Sequence, residues 1–152
     1  MNDKVYVNAF TTHNTIIGIL IKITRIHKGI KQNDFANLVG LSVSSVSKIE
    51  RGEYSFGLEF VINACKVLNI PTGQLFTAYD IIVKFMTEQG IVFYNLSMPE
   101  AINLDKSKDS NDSDSSISMP MYGKLIQQYI KNSKTMNDAV SKHILDIQTN
   151  QA

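Results

Sequence analysis

From Thr15 to Lys28 the apolar residues Ile16, Ile17, Leu20, Ile23 and Ile26 return at three- and four-residue steps, with Lys22 and Arg25 between them. That spacing predicts an amphipathic helix ending at Gly29. A second helix is predicted over Gln32 to Val39, with Phe35, Ala36 and Val39 on one side and Gly40 placed to close it in a left-handed turn. Ser42 can cap a third helix, and Gly52 can end it. A fourth, Leu58 to Leu68, groups Leu58, Val61, Ile62, Cys65 and Leu68. "NIP" at 69–71 breaks the chain, and Thr72 offers the cap of a fifth helix that carries Leu75, Phe76, Tyr79, Ile82, Val83 and Met86 towards Gly90. The expectation is a compact all-α unit over residues 1–90.

The flanks follow a different pattern. "VYVNAF" at 5–10 and "IVFYNL" at 91–96 are rich in β-branched and aromatic residues and are candidate strands, with 91–102 as a connector. Two isolated strands are marginal in water, so a sheet completed across a dimer is one way to stabilise them; the other reading of 5–10 is an extension of the first helix or a coil. "NLDKSKDSNDSDSSIS" at 103–118 is polar and low in complexity, as expected of a flexible linker. It is not a calcium loop: counting from Asp105, the sixth position is Ser110 rather than glycine and the twelfth is Ser116 rather than glutamate. Beyond it, residues 119–152 carry a helical stripe of Tyr122, Leu125, Ile126, Tyr129, Ile130, Met136, Val140, Ile144 and Ile147, with "TMND" at 135–138 as a second start. Such a segment cannot bury its apolar face alone, so it docks on the helical unit, on another copy, or on a partner protein.

Composition narrows the classes. The 152 residues are 43% hydrophobic, enough for one core. The longest apolar run, "IIGILI" at 16–21, is far short of the roughly 20 residues that span a bilayer, so no membrane partner and a cytoplasmic location are expected. Cys65 stands alone, excluding an internal disulfide and reading as a buried hydrophobe. Residues 1–90 hold nine Lys/Arg against seven Asp/Glu, and 91–152 hold six against seven. Neither half has the basic excess of a nonspecific nucleic-acid binder, so any such contact must come from locally placed groups. His13, His27 and His143 are scattered, with no nucleophile, phosphate loop or metal spacing beside them. No enzyme, cofactor or metal site is expected.

The chemistry concentrates between Gln32 and Ser55. If the second and third helices cross steeply over a short turn, a small residue must face the crossing, a glycine must turn the chain, and apolar residues must anchor the third helix. Ala36, Gly40, and Val46 with Ile49 meet those demands, with Phe35, Val39 and Leu41 filling the surrounding core. Over about residues 15–77, the string "GIKQNDFANLVGLSVSSVSKIERGEYSFGLEFVINACKVLNIPTGQLF" resembles the phage repressor and Cro-like helix-turn-helix family, also called xenobiotic-response-element-like. The glutamine opening helix 2, the alanine, the turn glycine, "SKIERG" and "LNIP" with "LF" carry the likeness.

The resemblance implies a five-helix DNA-binding domain with its third helix in the major groove of double-stranded DNA. Carried over residue by residue, Gln32 holds a phosphate and braces helix 3, and Arg25 with Glu50 forms an internal ion pair that fixes geometry. Val43, Ser44, Ser47 and Lys48, with Ser45 at the edge, face the groove: Val43 suits a thymine methyl, the serines either base edges or phosphate, and Lys48 a guanine or a phosphate. Arg51, Tyr54 and Ser55 are placed for backbone phosphates. The chain departs from the pattern in Glu53, where a basic residue is usual, and in Phe56, where a proline is usual. With a carboxylate near phosphate and no Asn, Gln or Arg among the inner contacts, affinity per copy is expected to be modest and a homodimer on a palindromic operator becomes important. The alternative is an antitoxin or adaptor whose segment 119–152 binds a partner protein, with the helix-turn-helix used for autoregulation.

Overall fold

The computed structural model describes residues 8–109 and 118–146. The first residues of the strand expected at 5–10, the middle of the linker expected at 103–118, and Ile147 lie outside them. A strand β1 (Asn8–Thr12) leads directly into α1 (His13–His27), followed by α2 (Gln32–Val39), α3 (Val43–Glu50), α4 (Leu58–Leu68) and α5 (Thr72–Glu88). Then come β2 (Val92–Tyr94), α6 (Met98–Asp109), β3 (Ser118–Pro120), α7 (Gly123–Asn132), α8 (Lys134–Val140) and a π-helical turn over Ser141–Leu145.

Helix α1 is the axis of the fold. Thr12 caps it, its hydroxyl oxygen accepting the Thr15 N–H at 3.1 Å, so the helix starts earlier than its apolar stripe suggests. From Thr15 to Ile21 it is buried all round, because α3, α4, α5 and α7 surround it. Ile26, expected in the stripe, lies beyond that ring and is exposed.

One other face and one cap differ from the sequence pattern. In α4 the buried residues are Val61, Ala64, Cys65 and Leu68, while Leu58 and Ile62 face outwards. The inner face is centred on Val61, Ala64, Cys65 and Leu68, so Leu58 and Ile62 fall at its margin. Thr72 is not a cap: Pro71 occupies that position without a side-chain bond, and its fixed φ of −62° already suits a helix start.

The strands expected in the flanks form one small sheet within the chain. The order is β2-β1-β3 and both pairings are parallel, with Phe10 opposite Val92 and Asn8 opposite Ser118. Completion across a dimer is therefore not what pairs them; the third strand comes from Ser118–Pro120. The linker expected from Asn103 is also shortened, because α6 continues to Asp109. Its start is fixed by Glu100, whose carboxylate accepts the Ser97 N–H at 3.0 Å and the Ser97 hydroxyl at 2.7 Å. Those two bonds hold the Glu100 carboxyl below its usual pKa. Phe10, Met98 and Ala101 form a small second core above the sheet, with Tyr94 edge-on to Phe10.

The carboxy-terminal helices dock on their own chain. α7 packs on α1, and α8 with the π turn packs on α5, carrying Ile126, Ile130, Met136, Val140 and Ile144 into the main core. Among the described residues, no helix is long and apolar enough to cross a membrane.

Candidate nucleic-acid interface

The second and third helices meet at a turn closed by Gly40, whose φ of +74° is left-handed. Leu41 N–H returns to the Ala36 carbonyl at 3.0 Å, completing a Schellman turn, and Ser42 then caps α3 by accepting the Ser45 N–H at 3.1 Å. Such a cap contributes about 1 kcal/mol. Beneath the crossing, Phe35, Ala36, Val46 and Ile49 are buried. Leu41 is not in that core. At 37% exposure it borders an open groove with Val39, Tyr54, Phe56 and Phe60.

The inner side of α3 is bolted by one polar network. Arg25 grips Glu50 with two parallel bonds, Nε to Oε1 at 2.6 Å and Nη2 to Oε2 at 3.0 Å, and its Nη1 donates to the Ile30 carbonyl at 2.8 Å. Gln32 Nε2 adds a bond to Glu50 Oε2 at 2.9 Å, so the first residue of α2 braces the last of α3. Both charges are buried and geometrically satisfied, the condition under which a buried pair can be tolerated. Gln32 heads a helix start with no side-chain cap, which leaves the first backbone N–H groups of α2 available to an anion.

Close backbone packing holds the carboxy-terminal end of α3. A Cβ at Gly18 would collide with the Ile49 carbonyl oxygen, and one at Gly123 would stand 2.8 Å from the Glu50 carbonyl oxygen. The Met98 N–H donates to the Gly52 carbonyl at 3.3 Å. Gly18, Gly123 and Met98 carry no recognisable DNA-binding signal. Only Gly18, an isolated glycine inside an apolar helical run, hinted at a close approach.

The outer side of α3 presents the residues expected there, in different states. Val43, Ser44 and Lys48 are exposed. Ser45 is half-buried, its hydroxyl 2.8 Å from that of Ser42. Ser47 is half-buried and accepts a bond from Arg51 Nη1 at 2.7 Å. Arg51, Tyr54 and Ser55 line the exposed loop after α3, and Arg51 is held by Glu53. Val43, Ser44, Ser47 and Lys48 share one side of the helix, Arg51 is tied to it through Ser47, and Lys48 and Arg51 are its cations. Among the described residues, no group of three or more His, Cys, Asp or Glu could hold a metal ion.

Residues 21–75, which span α2, α3 and α4, match the family described as Helix-turn-helix. Among solved structures, the chain is similar to the crystal structure of the clp gene regulator ClgR from C. glutamicum, with 20% identity over 42% of this chain and 83% of that one. The TM-score of that match is 0.41. No curated protein matches the chain.

Proposed function

On the premise that residues 21–75 form a helix-turn-helix domain, we propose that this chain is a sequence-specific DNA-binding transcriptional regulator that places α3 in the major groove. The observation that carries the reading is the division of α3 into two sides. Val46, Ile49 and Glu50 are buried and bolted, whereas Val43, Ser44, Ser47 and Lys48 form a small, polar outer side. Short side chains let the helix backbone approach base edges, where Val43 meets a thymine methyl, Ser44 and Ser47 bond to base edges or phosphate, and Lys48 reaches guanine or phosphate. Ser45 stays at the rim with its capping partner. Gln32 and the first N–H groups of α2 hold a phosphate, and Arg51, Tyr54 and Ser55 hold the backbone beyond the groove.

So few contacts per copy support a homodimer on a pseudopalindromic operator, its half-sites centred roughly 34–36 Å apart. The apolar positions of α7 and α8 are spent on α1 and α5. That favours the regulator over an adaptor whose segment 119–152 captures another protein.

The deciding experiment is selection of bound duplexes from a random pool, followed by fluorescence anisotropy across a salt series. Enriched half-sites related by a two-fold are expected, with Lys48→Ala and Ser44→Ala each weakening binding severalfold. If no sequence is enriched over random DNA, the reading fails.

A further inference from the structure

The loop after α3 holds a charge pair that the DNA-binding face would have to give up. α3 closes in a Schellman turn: Gly52, left-handed at φ +79°, donates its N–H to the Ile49 carbonyl at 3.0 Å, and Glu53 donates its N–H to the Lys48 carbonyl at 2.8 Å. The same pair of bonds ends α1, α2, α4 and α5, where the residue in the position of Glu53 is Ile30, Leu41, Ile70 and Ile91. Those four are apolar, as suits the hydrophobic contact that frequently accompanies this turn. Only in α3 does a carboxylate stand there, so the needs of the turn do not explain it.

The turn fixes Glu53 two residues beyond Arg51, and the side chains meet as two forks. Arg51 Nε donates to Glu53 Oε1 at 3.0 Å and Nη2 to Oε2 at 3.1 Å, while Nη1 donates to the Ser47 hydroxyl at 2.7 Å. The side chains remain 53% and 35% exposed, and a solvated pair of this kind adds little to stability. A phosphate, like a carboxylate, offers a guanidinium two oxygens that can accept two parallel N–H bonds.

We propose that Glu53 is a built-in competitor for the DNA phosphate. In the free protein it occupies Arg51, and binding exchanges its carboxylate for a backbone phosphate and frees the Ser47 hydroxyl for the groove. This rests on α3 being the DNA-binding helix. Phosphate contact carries no sequence information, so the competition lowers affinity for all duplexes alike and leaves discrimination to Val43, Ser44, Ser47 and Lys48.

The test is anisotropy on a selected duplex and a random duplex for wild type, Glu53→Gln, Arg51→Gln and the double variant, over about 50–200 mM salt. Glu53→Gln is expected to tighten binding to both duplexes by about 3- to 10-fold and to steepen the salt slope by about one counterion. In the Arg51→Gln background that gain should vanish. An unchanged Glu53→Gln overturns the inference, as does an equal gain without Arg51, which mere loss of a negative charge near DNA would give. Wild type that selects no duplex sinks the functional reading and this inference with it, whereas normal selection with an unaltered Glu53→Gln sinks the inference alone.

Discussion

Replacing Gly18 by alanine tests how α3 is seated. The new Cβ would lie well under the 3.0 Å that real Cβ contacts keep from the Ile49 carbonyl oxygen, and 3.2 Å from the carbonyl carbon. A relaxed carbon–oxygen contact is about 3.3 Å or longer, so α1 and α3 would have to part by about 1 Å. Both sides of the clash are helix backbone, and no side chain can rotate away to relieve it. Two terms oppose each other. Alanine favours a helix over glycine by about 1 kcal/mol, whereas overpacking costs about 1–3 kcal/mol, with the upper end expected here. The net loss is about 2 kcal/mol, or about 4–8 °C in Tm for a domain of this size. Gly73, in the first turn of α5 with nothing within 4 Å of its virtual Cβ, is the internal control. The same substitution there should stabilise by about 0.4–1 kcal/mol. Urea unfolding followed by circular dichroism measures both, with equal slopes required for the comparison. Gly18→Ala should also bind the selected duplex more weakly under conditions where it is fully folded. Wild-type stability and affinity in Gly18→Ala, or an equal loss in Gly73→Ala, would refute the reasoning.

Arg25→Met should cost about 3–5 kcal/mol because Glu50 is left buried without its partner, and adding Glu50→Met should restore much of that; an equal loss in the double variant by urea unfolding would argue against the pairing. His13, hydrogen-bonded to Tyr79 and stacked on Phe93 at 5.1 Å, has its pKa lowered from 6.5 by burial. The unfolded chain therefore takes up that proton first, and stability should fall as pH drops from 6.5 towards the lowered native value and level off below it. Unfolding curves at pH 5–8 should show this limb flattened in His13→Asn, and parallel wild-type and variant profiles would contradict it. Truncation before Ser118 removes five fully buried side chains, Ile126, Ile130, Met136, Val140 and Ile144, each contributing about 1.5–3 kcal/mol, a sum comparable to a whole domain's stability. An unfolded or aggregated product is expected, and a soluble fragment with wild-type Tm would show that the tail is dispensable.

The parts of the fold set by local chemistry were legible in the sequence. The bounds of α2 and α4 follow from the left-handed positions at Gly40 and Asn69, and α3 from the Ser42 cap and the Gly52 turn. Elements decided by distant partners were not legible. β3 is a strand only because β1 lies beside it, and Met119 between serine and proline gives no alternation to read. α6 has few apolar residues, although Ser97 followed by Glu100 three positions later was a start signal that its polar continuation obscured. In α4 the pattern of large residues located Val61, Cys65 and Leu68 on the inner face, but it also drew in Leu58 and Ile62, which are exposed, and passed over the small, buried Ala64. The residues proposed to touch DNA were identifiable from their place around the turn. Their intramolecular partners, Ser47 with Arg51 and Arg51 with Glu53, depend on rotamers that spacing does not specify.

What the sequence divides into a binding domain and an appendage, the structure joins at one end of α3. Its amino-terminal half is held by its own turn and cap and by the buried Val46, whereas its other end touches three elements from distant parts of the chain. Gly18 comes from α1, Met98 from the start of α6, and Gly123 from the start of α7, and each meets α3 or the loop after it through backbone atoms. Backbone contacts resist displacement in a way that long side chains do not, so the pose of α3 is fixed without using any of the side chains on its outer face. In the proposed DNA-bound pose such short residues need that arrangement, because Val43 and Ser44 cannot reach further to make up for an ångström lost in position. On the proposal that α3 reads DNA, α6 and α7 contribute to recognition by seating it through Met98 and Gly123.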